Sequence, residues 1–346
     1  MRIKAVLNIL REIQYLKSVI KKYRSRLANG RYVLFDSFRA IALGEPETLE
    51  RAHIYFDIPK PNARLSSIAA KLNRFGYYSN KNKKTSSEYE AFYSANNYDK
   101  DREVKLFSFQ RRKILTICTS QADAETQLNQ YTDFSKAYPM PTVTHSDYYP
   151  NAFEISMINP GEFPGDALAL NAIAQATMRF NPSSINLDCT IAHNLVKYSY
   201  EDETINALLG ELVSKIDKSV LNQAFPACIQ HGDLSKSNLI YGEADGKTDF
   251  WWIDWEHARE RIFFYDYFFY LINSALYYDT RAYDLYMSGD VDENLGEFFA
   301  HFGLTFVPEK RRDYFLIFAV IFLKERVCDF GRVEALKQYC AFIAAH

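Results

Sequence analysis

The chain has 346 residues, enough for two units with a sizeable core, and its 48% hydrophobic and 24% charged residues with only 13 Gly and 11 Pro exclude a disordered, collagen-like or low-complexity polymer. Forty-one basic residues against 43 acidic ones leave a net charge of −2, which excludes a chain that binds nucleic acid over its whole surface. Five cysteines with no C-x-x-C pair argue against a disulfide framework or a structural zinc site and point to a reducing, cytoplasmic compartment.

Residues 1–28 carry eight basic side chains and one acid, Glu12, a local charge of +7 that leaves the remainder at −9. Ile3, Leu7, Leu10, Ile13, Leu16, Ile20, Tyr23 and Leu27 recur in steps of three or four, the period of one helix face. This basic amphipathic helix has two open uses: lying on an anionic membrane surface, or docking its apolar stripe on the protein's own body or on a second copy. An RNA-binding arm is a weaker third.

Asn29-Gly30 stops that helix, and 29–101 reads as an extension and linker without an assigned role. It contains short apolar pieces such as Tyr32-Val33-Leu34-Phe35 and His53-Ile54-Tyr55-Phe56, then a stretch over 79–101 rich in Asn, Lys, Ser and Tyr that predicts an exposed loop. Residues 102–118 predict a β-hairpin turning at Gln110-Arg111-Arg112, with Val104 and Leu106 alternating with Glu103 and Lys105. A helix over 120–138 opens at a Ser/Asp cap, and 152–158 predicts a further strand. From Gly165 onward the periodicity is helical, near 166–179, 203–220, 266–278 and 313–343. The longest apolar run, ten residues over 314–323, is half a bilayer span and reads as a buried helix.

The stretch that carries chemistry is 228–255, CIQHGDLSKSNLIYGEADGKTDFWWIDW. A loop carboxylate at Asp233, an amide at Asn238 and a second carboxylate at Asp254 converge if 239–241 and 250–253 form a hairpin. Phosphoryl transfer needs such a set, because its catalysis is positioning and charge neutralisation. One carboxylate accepts the hydroxyl proton, while an amide oxygen and a carboxylate hold Mg²⁺ against phosphate oxygens. All three tryptophans, Trp251, Trp252 and Trp255, cluster here, and core packing explains them better than substrate stacking.

The run H-G-D-L-S-K-S-N followed by I-D-W-E resembles the aminoglycoside phosphotransferase and choline kinase group of the protein-kinase-like superfamily. The specific match covers 229–271, with Gly232 where protein kinases carry Arg. The resemblance implies an α+β, protein-kinase-like two-lobed fold: the basic helix 1–28, the extension 29–101, a small strand-rich N-lobe over 102–160 and a larger helical C-lobe over 161–346. It implies ATP and Mg²⁺ as cofactors, Asp233 as catalytic base, Asn238 and Asp254 as metal ligands, an adenine-holding hinge after the 153–158 strand, and an acid at Asp266 opening the next helix. Lys236 either touches the γ-phosphate or faces solvent, and Glu256 orients substrate or braces the loop. No G-x-G-x-x-G occurs in the 108–112 turn, and the usual strand lysine is displaced, leaving Lys113 or Lys105 to pair with Glu125.

The resulting expectation is a phosphotransferase acting on a hydroxyl of a small molecule or saccharide. The basic helix adds a membrane-associated glycan of envelope or capsule assembly as acceptor, with the protein peripheral on the inner face of the membrane. Aminoglycoside or choline/ethanolamine kinases are alternatives, although their cationic acceptors call for carboxylates or an aromatic cage, for which Asp202, Glu203, Glu325 and Asp329 are the candidates. A nucleotide-binding pseudokinase scaffold is the alternative outside enzymes.

Overall fold

The computed structural model of the protein describes residues 3–35, 39–56, 63–81, 88–94, 103–180, 203–330 and 333–345. Two compact units result: Met1–Asp133 with Pro141–Gly161 and Gly242–Thr248, and Phe134–Met140 with Glu162–Tyr241 and Asp249–His346. The first is rich in strands and the second in helices, the α+β organisation expected from the element order.

The first unit is built on one eight-stranded sheet of antiparallel pairs. Its strands are β1 (Gly30–Leu34), β2 (Ala40–Leu43), β3 (Tyr78–Asn80), β4 (Ala91–Ser94), β5 (Val104–Ser108), β6 (Lys113–Ile117), β7 (Val143–His145) and β8 (Ala152–Ser156), in the order β3-β1-β2-β4-β5-β6-β8-β7. The predicted hairpin is β5–β6, registered from Val104 opposite Ile117 to Ser108 opposite Lys113. A short β9 (Asn159–Pro160) pairs with β11 (Leu239–Ala244).

The 29–101 stretch supplies β1 to β4 of that sheet, together with α2 (Pro46–Phe56) and α3 (Ala63–Arg74). The exposed loop expected over 79–101 is thereby corrected in part. Tyr89, Ala91 and Phe92 are fully buried in spite of their polar neighbours, because β4 is an interior strand between β2 and β5. Composition averaged over the stretch hides those few residues.

Both faces of the sheet are covered. On one, α1 (Ile3–Lys22) packs Ile13, Leu16, Val19 and Ile20 against Tyr32, Ile41, Phe92, Leu106 and Leu115. On the other, Ala52 and Phe56 of α2 meet Ala40, Ala42, Ala91 and Phe107, the small alanines letting the helix approach the strands closely. The helix predicted over 120–138 is α4 (Gln121–Phe134), with the Asp123 N–H donating to Ser120 Oγ at 3.1 Å. From Ile13 to Leu27 the α1 stripe docks on the protein's own body, with Leu16 fully buried, whereas Leu10 is half exposed and the side chains of Ile3 and Leu7 lie outside the described residues.

The second unit is a helical assembly around aromatic side chains. Among the described residues its helices are α5 (Asp166–Thr177), α6 (Glu203–Ser214), α7 (Lys218–Leu221), α8 (Tyr265–Tyr277), α9 (Arg281–Ser288), α10 (Asp292–His301), α11 (Arg311–Phe330) and α12 (Val333–Ala345). Every residue of α8 from Tyr265 to Ser274 is buried, so this helix is surrounded on all sides. Phe263 and Phe264 pack on Phe299, Tyr265 on Phe318, and Phe269 on Phe322. The aromatic run over 263–270 thus builds core. No described helix is long and apolar enough to cross a membrane.

Cys118 and Cys228 are free and buried, and burial pushes each thiol up to about 12. Cys189 and the side chain of Cys328 lie outside the described residues.

Because Leu16 is buried under the sheet and Lys21 faces out, Leu16→Ala should lower the unfolding free energy by about 3 kcal/mol and Lys21→Ala by less than about 0.5 kcal/mol. Denaturant titration checks this. Equal small effects would mean that α1 is not docked.

Candidate active site

The loop over 231–238 lies between two short antiparallel pairs in the second unit's sequence. β10 (Ala227–Gln230) pairs with β13 (Arg259–Ile262), and β11 pairs with β12 (Lys247–Trp252). The polar loop is held by one buried carboxylate. The His231 N–H donates to Asp266 Oδ2 at 2.6 Å and the Gly232 N–H to Oδ1 at 2.8 Å, while the Asp266 N–H donates to Gln230 Oε1 at 3.0 Å. Asp266 lies in the first turn of α8, where the helix dipole favours an anion. Burial pushes its pKa up, against the pull of His231, the two loop amides and Arg261.

His231 is fully buried and joins the loop to the end of β12. Its Nδ1 accepts from the Asp233 N–H at 3.3 Å, which leaves Nε2 as the protonated nitrogen, donating to the Ile253 carbonyl at 2.7 Å. The ring packs on Trp255, centroids 4.8 Å apart. A second tie runs in parallel: the Ile253 N–H donates to the Asn238 carbonyl at 3.1 Å. Asn238 and the residue before Asp254 are thus hydrogen-bonded neighbours. That juxtaposition is what the spacing of the motif predicts.

The free ends of these groups define the chemistry. Asn238 Nδ2 donates to the Asp233 carbonyl at 2.8 Å, so the amide is oriented with Oδ1 directed elsewhere. Among the described residues neither Asn238 Oδ1 nor the Asp254 carboxylate has a hydrogen bond or an ion pair. Asp254 also has φ +68°, a left-handed backbone that costs about 1 kcal/mol or more for a residue with a Cβ. A strained backbone beneath an unpartnered carboxylate suits a ligand rather than a structural contact. These two oxygens fit Mg²⁺, which takes one or two protein oxygens and completes its shell with water and phosphate. No cluster of three His, Cys, Asp or Glu side chains arranged for a metal occurs among the described residues.

Asp233 has a partner that the sequence did not reveal. Arg326 of α11, 93 residues away, donates to Asp233 Oδ1 at 2.7 Å and to the Gly232 carbonyl at 2.9 Å. The Arg326 side chain is 7% exposed and that of Asp233 38%, so Oδ1 is pinned and Oδ2 remains open to an acceptor. Gly232 accounts for its own identity. Its φ is +82°, and an added Cβ would sit 2.4 Å from Arg261 Nη1 and 2.6 Å from the His257 carbonyl. Arg261, held by Glu325 at 2.9 Å, fills that space.

Lys236 does not face solvent. Its Nζ pairs with Asp166 Oδ1 at 2.9 Å, and the Tyr270 hydroxyl donates to the same oxygen at 2.9 Å. A phosphate contact by Lys236 requires release of that ion pair. In the 108–112 turn Arg111 pairs with Glu88 and Glu154, and Arg112 with Glu243.

The pairing of Glu125 with Lys113 or Lys105 is corrected. Ala124, Leu128 and Tyr131 form the buried side of α4, which turns Glu125 outward, where it accepts from Gln121 at 2.8 Å. Lys113 Nζ lies 3.3 Å from Ser156 Oγ, and Lys105 pairs with Glu103 at 3.3 Å. The α4 residue that does reach this group is Gln127, donating to Glu103 at 3.0 Å. Glu256 is exposed beside His257 at 3.4 Å.

The strain at position 254 gives a direct check. Asp254→Gly should leave the thermal midpoint equal to or above that of the wild type, since relief of left-handed strain offsets the roughly 0.5–1 kcal/mol entropic penalty of glycine, while turnover is lost. A clear fall in stability would show that the carboxylate serves the fold.

No protein-family model and no curated protein sequence matches the chain. In structure it resembles the choline kinase and aminoglycoside phosphotransferase group. A choline/ethanolamine kinase family protein from Mesorhizobium loti is 12% identical, with a TM-score of 0.43, covering 73% of this chain and 86% of that one. Choline kinase from Streptococcus pneumoniae is 12% identical, with a TM-score of 0.42 and coverage of 81% and 99%. The GDP complex of aminoglycoside 2′-phosphotransferase-IIIa is 12% identical, with a TM-score of 0.44 and coverage of 82% and 97%.

Proposed function

We propose that the chain is a Mg²⁺-dependent phosphotransferase that moves the γ-phosphoryl group of ATP to a hydroxyl of a small molecule, with a saccharide as the acceptor class. The observation that carries the reading is the pair of backbone ties through His231 and Ile253. They set Asn238 beside the segment of Asp254 while leaving one oxygen donor on each without a protein partner.

In this reading Asp233 Oδ2 accepts the proton of the acceptor hydroxyl as its oxygen bonds to the γ-phosphorus, the bond to the β–γ bridging oxygen breaks, and ADP leaves. Arg326 keeps Oδ1 engaged throughout, so the open oxygen faces the acceptor. Asn238 and Asp254 hold the metal, which when bound neutralises charge on the phosphate oxygens. Of the residues expected at the nucleotide, Lys105 pairs with Glu103, whose carboxylate also accepts from Gln127.

A neutral acceptor is favoured because Glu325, the described candidate carboxylate for a cationic one, is consumed by Arg259 and Arg261, each at 2.9 Å. Asp202 and the side chains of Glu203 and Asp329 lie outside the described residues. The absent Lys–Glu pair is the observation that supports a second reading, a nucleotide-binding scaffold without turnover.

ATP consumption measured against panels of monosaccharides, polyols, choline and aminoglycosides separates these. The proposal expects Mg²⁺-dependent turnover with a saccharide or polyol, and Asp233→Asn should reduce it by roughly a thousandfold with nucleotide affinity preserved. Turnover with choline or an aminoglycoside alone would overturn the acceptor class. Nucleotide binding with no turnover on any panel, or an Asp233→Asn variant as active as the wild type, would contradict the enzyme reading.

A further inference from the structure

Helix α1 has a second face that neither the sheet nor the proposed reaction uses. With Ile13, Leu16, Val19 and Ile20 buried, the side turned outward carries Arg11, Lys17, Lys21 and Lys22, followed by Arg24 just past the helix, all exposed. The acid of this helix, Glu12, is 8% exposed and lies on the buried side. Among the described residues Arg11 and Lys21 form no ion pair. The outward face therefore has one sign of charge in a chain whose net charge is negative.

Leu10, Gln14, Lys17 and Lys21 follow one another at steps of four, three and four, so they lie along a single line of the helix surface, with Arg24 beyond its end. From residue 10 to residue 21 that line runs about 16 Å at the helical rise. Leu10, half exposed at 50%, stands at one end. Beside its middle, Lys17 Nζ lies 3.4 Å from the centroid of the Tyr77 ring. The chain around that ring is fastened to α1, because the buried Tyr78 hydroxyl donates to the Ile13 carbonyl at 3.4 Å. Two residues before Tyr77 stands Phe75, 82% exposed, the most exposed large hydrophobic side chain among the described residues.

We propose that this outward face of α1, with Leu10 and Phe75, is a contact surface for an anionic lipid bilayer. With Ile13, Leu16, Val19 and Ile20 buried against the sheet, that part of the helix does not insert and the contact is superficial: cations at the level of the headgroups, with Phe75 and Leu10 entering the acyl boundary. Lipid is favoured over nucleic acid by Leu10, whose aliphatic side chain has no stacking use, and by a straight row of cations that matches a flat charged surface. Each cation near such a surface adds to affinity, and the attraction fades with salt. This inference is independent of the phosphotransferase reading.

Flotation of the full chain with vesicles of phosphatidylcholine, with and without about a third phosphatidylglycerol, tests it. Binding is expected only to the anionic vesicles and should disappear at ~0.5 M salt. Replacing Lys17, Lys21 and Arg24 together by Gln should weaken it on the order of a hundredfold, and Phe75→Ser should weaken it separately. The triple Lys17→Arg, Lys21→Arg, Arg24→Lys variant should retain it. All these side chains are exposed, so unchanged thermal unfolding confirms that the variants fold. No binding to anionic vesicles at low salt, or binding that survives the triple Gln variant, overturns the proposal. Charge-dependent binding to single-stranded RNA without vesicle binding reassigns the face to nucleic acid.

Discussion

Asp266 is a buried carboxylate that accepts hydrogen bonds from two consecutive loop amides, and the geometry of the candidate site follows from it. Without that acceptor the His231 and Gly232 N–H groups would be buried and unpaired, each at a cost of about 1–3 kcal/mol. With it, the loop is pinned to the first turn of α8, and the burial of α8 on every side makes the pin rigid. His231 then extends the constraint to Ile253, and so to Asp254. Asp233 and Asp254, both half-buried, and the buried Asn238 are thus tied to groups that are themselves out of solvent.

The same economy explains residues that look arbitrary in isolation. Gly232 is required by its positive φ and by the Arg261 guanidinium against its Cα, and Arg261 is in turn neutralised by Glu325. The next residue of α11, Arg326, holds Asp233. One turn of one helix therefore serves both the strand beside the loop and the carboxylate in it. A buried arginine of this kind is favourable only because each contact is charge-assisted and stacked over rings, as Arg326 is over Phe269 at 5.2 Å.

Much of this was legible in the residues, and the exceptions have physical causes. The β5–β6 hairpin, α4 and the helices over 166–177 and 311–330 were readable because their apolar periods are local. The ties of Asn238 to Asp233 and to Ile253, next to Asp254, were readable because a short motif encodes that spacing. Arg326 was not, because it comes from 93 residues away and only tertiary packing delivers it. The strands within 29–101 were obscured because they are only three to five residues long and set among polar neighbours. The Glu125 pairing failed for a geometric reason: the face of α4 is chosen by Ala124, Leu128 and Tyr131, and position 125 falls outside it. The destination of the α1 stripe could not be decided from periodicity, since a membrane and a sheet accept the same pattern.

The account rests on Asn238 Oδ1 and the Asp254 carboxylate sharing one divalent ion. A crystal grown with ADP and Mn²⁺ as a visible substitute for Mg²⁺ tests this most directly, through the anomalous signal of the metal. The account predicts a peak within ligand distance of both oxygens, with the nucleotide phosphate completing the shell. A peak elsewhere, or nucleotide bound with no metal at these two residues, would contradict it.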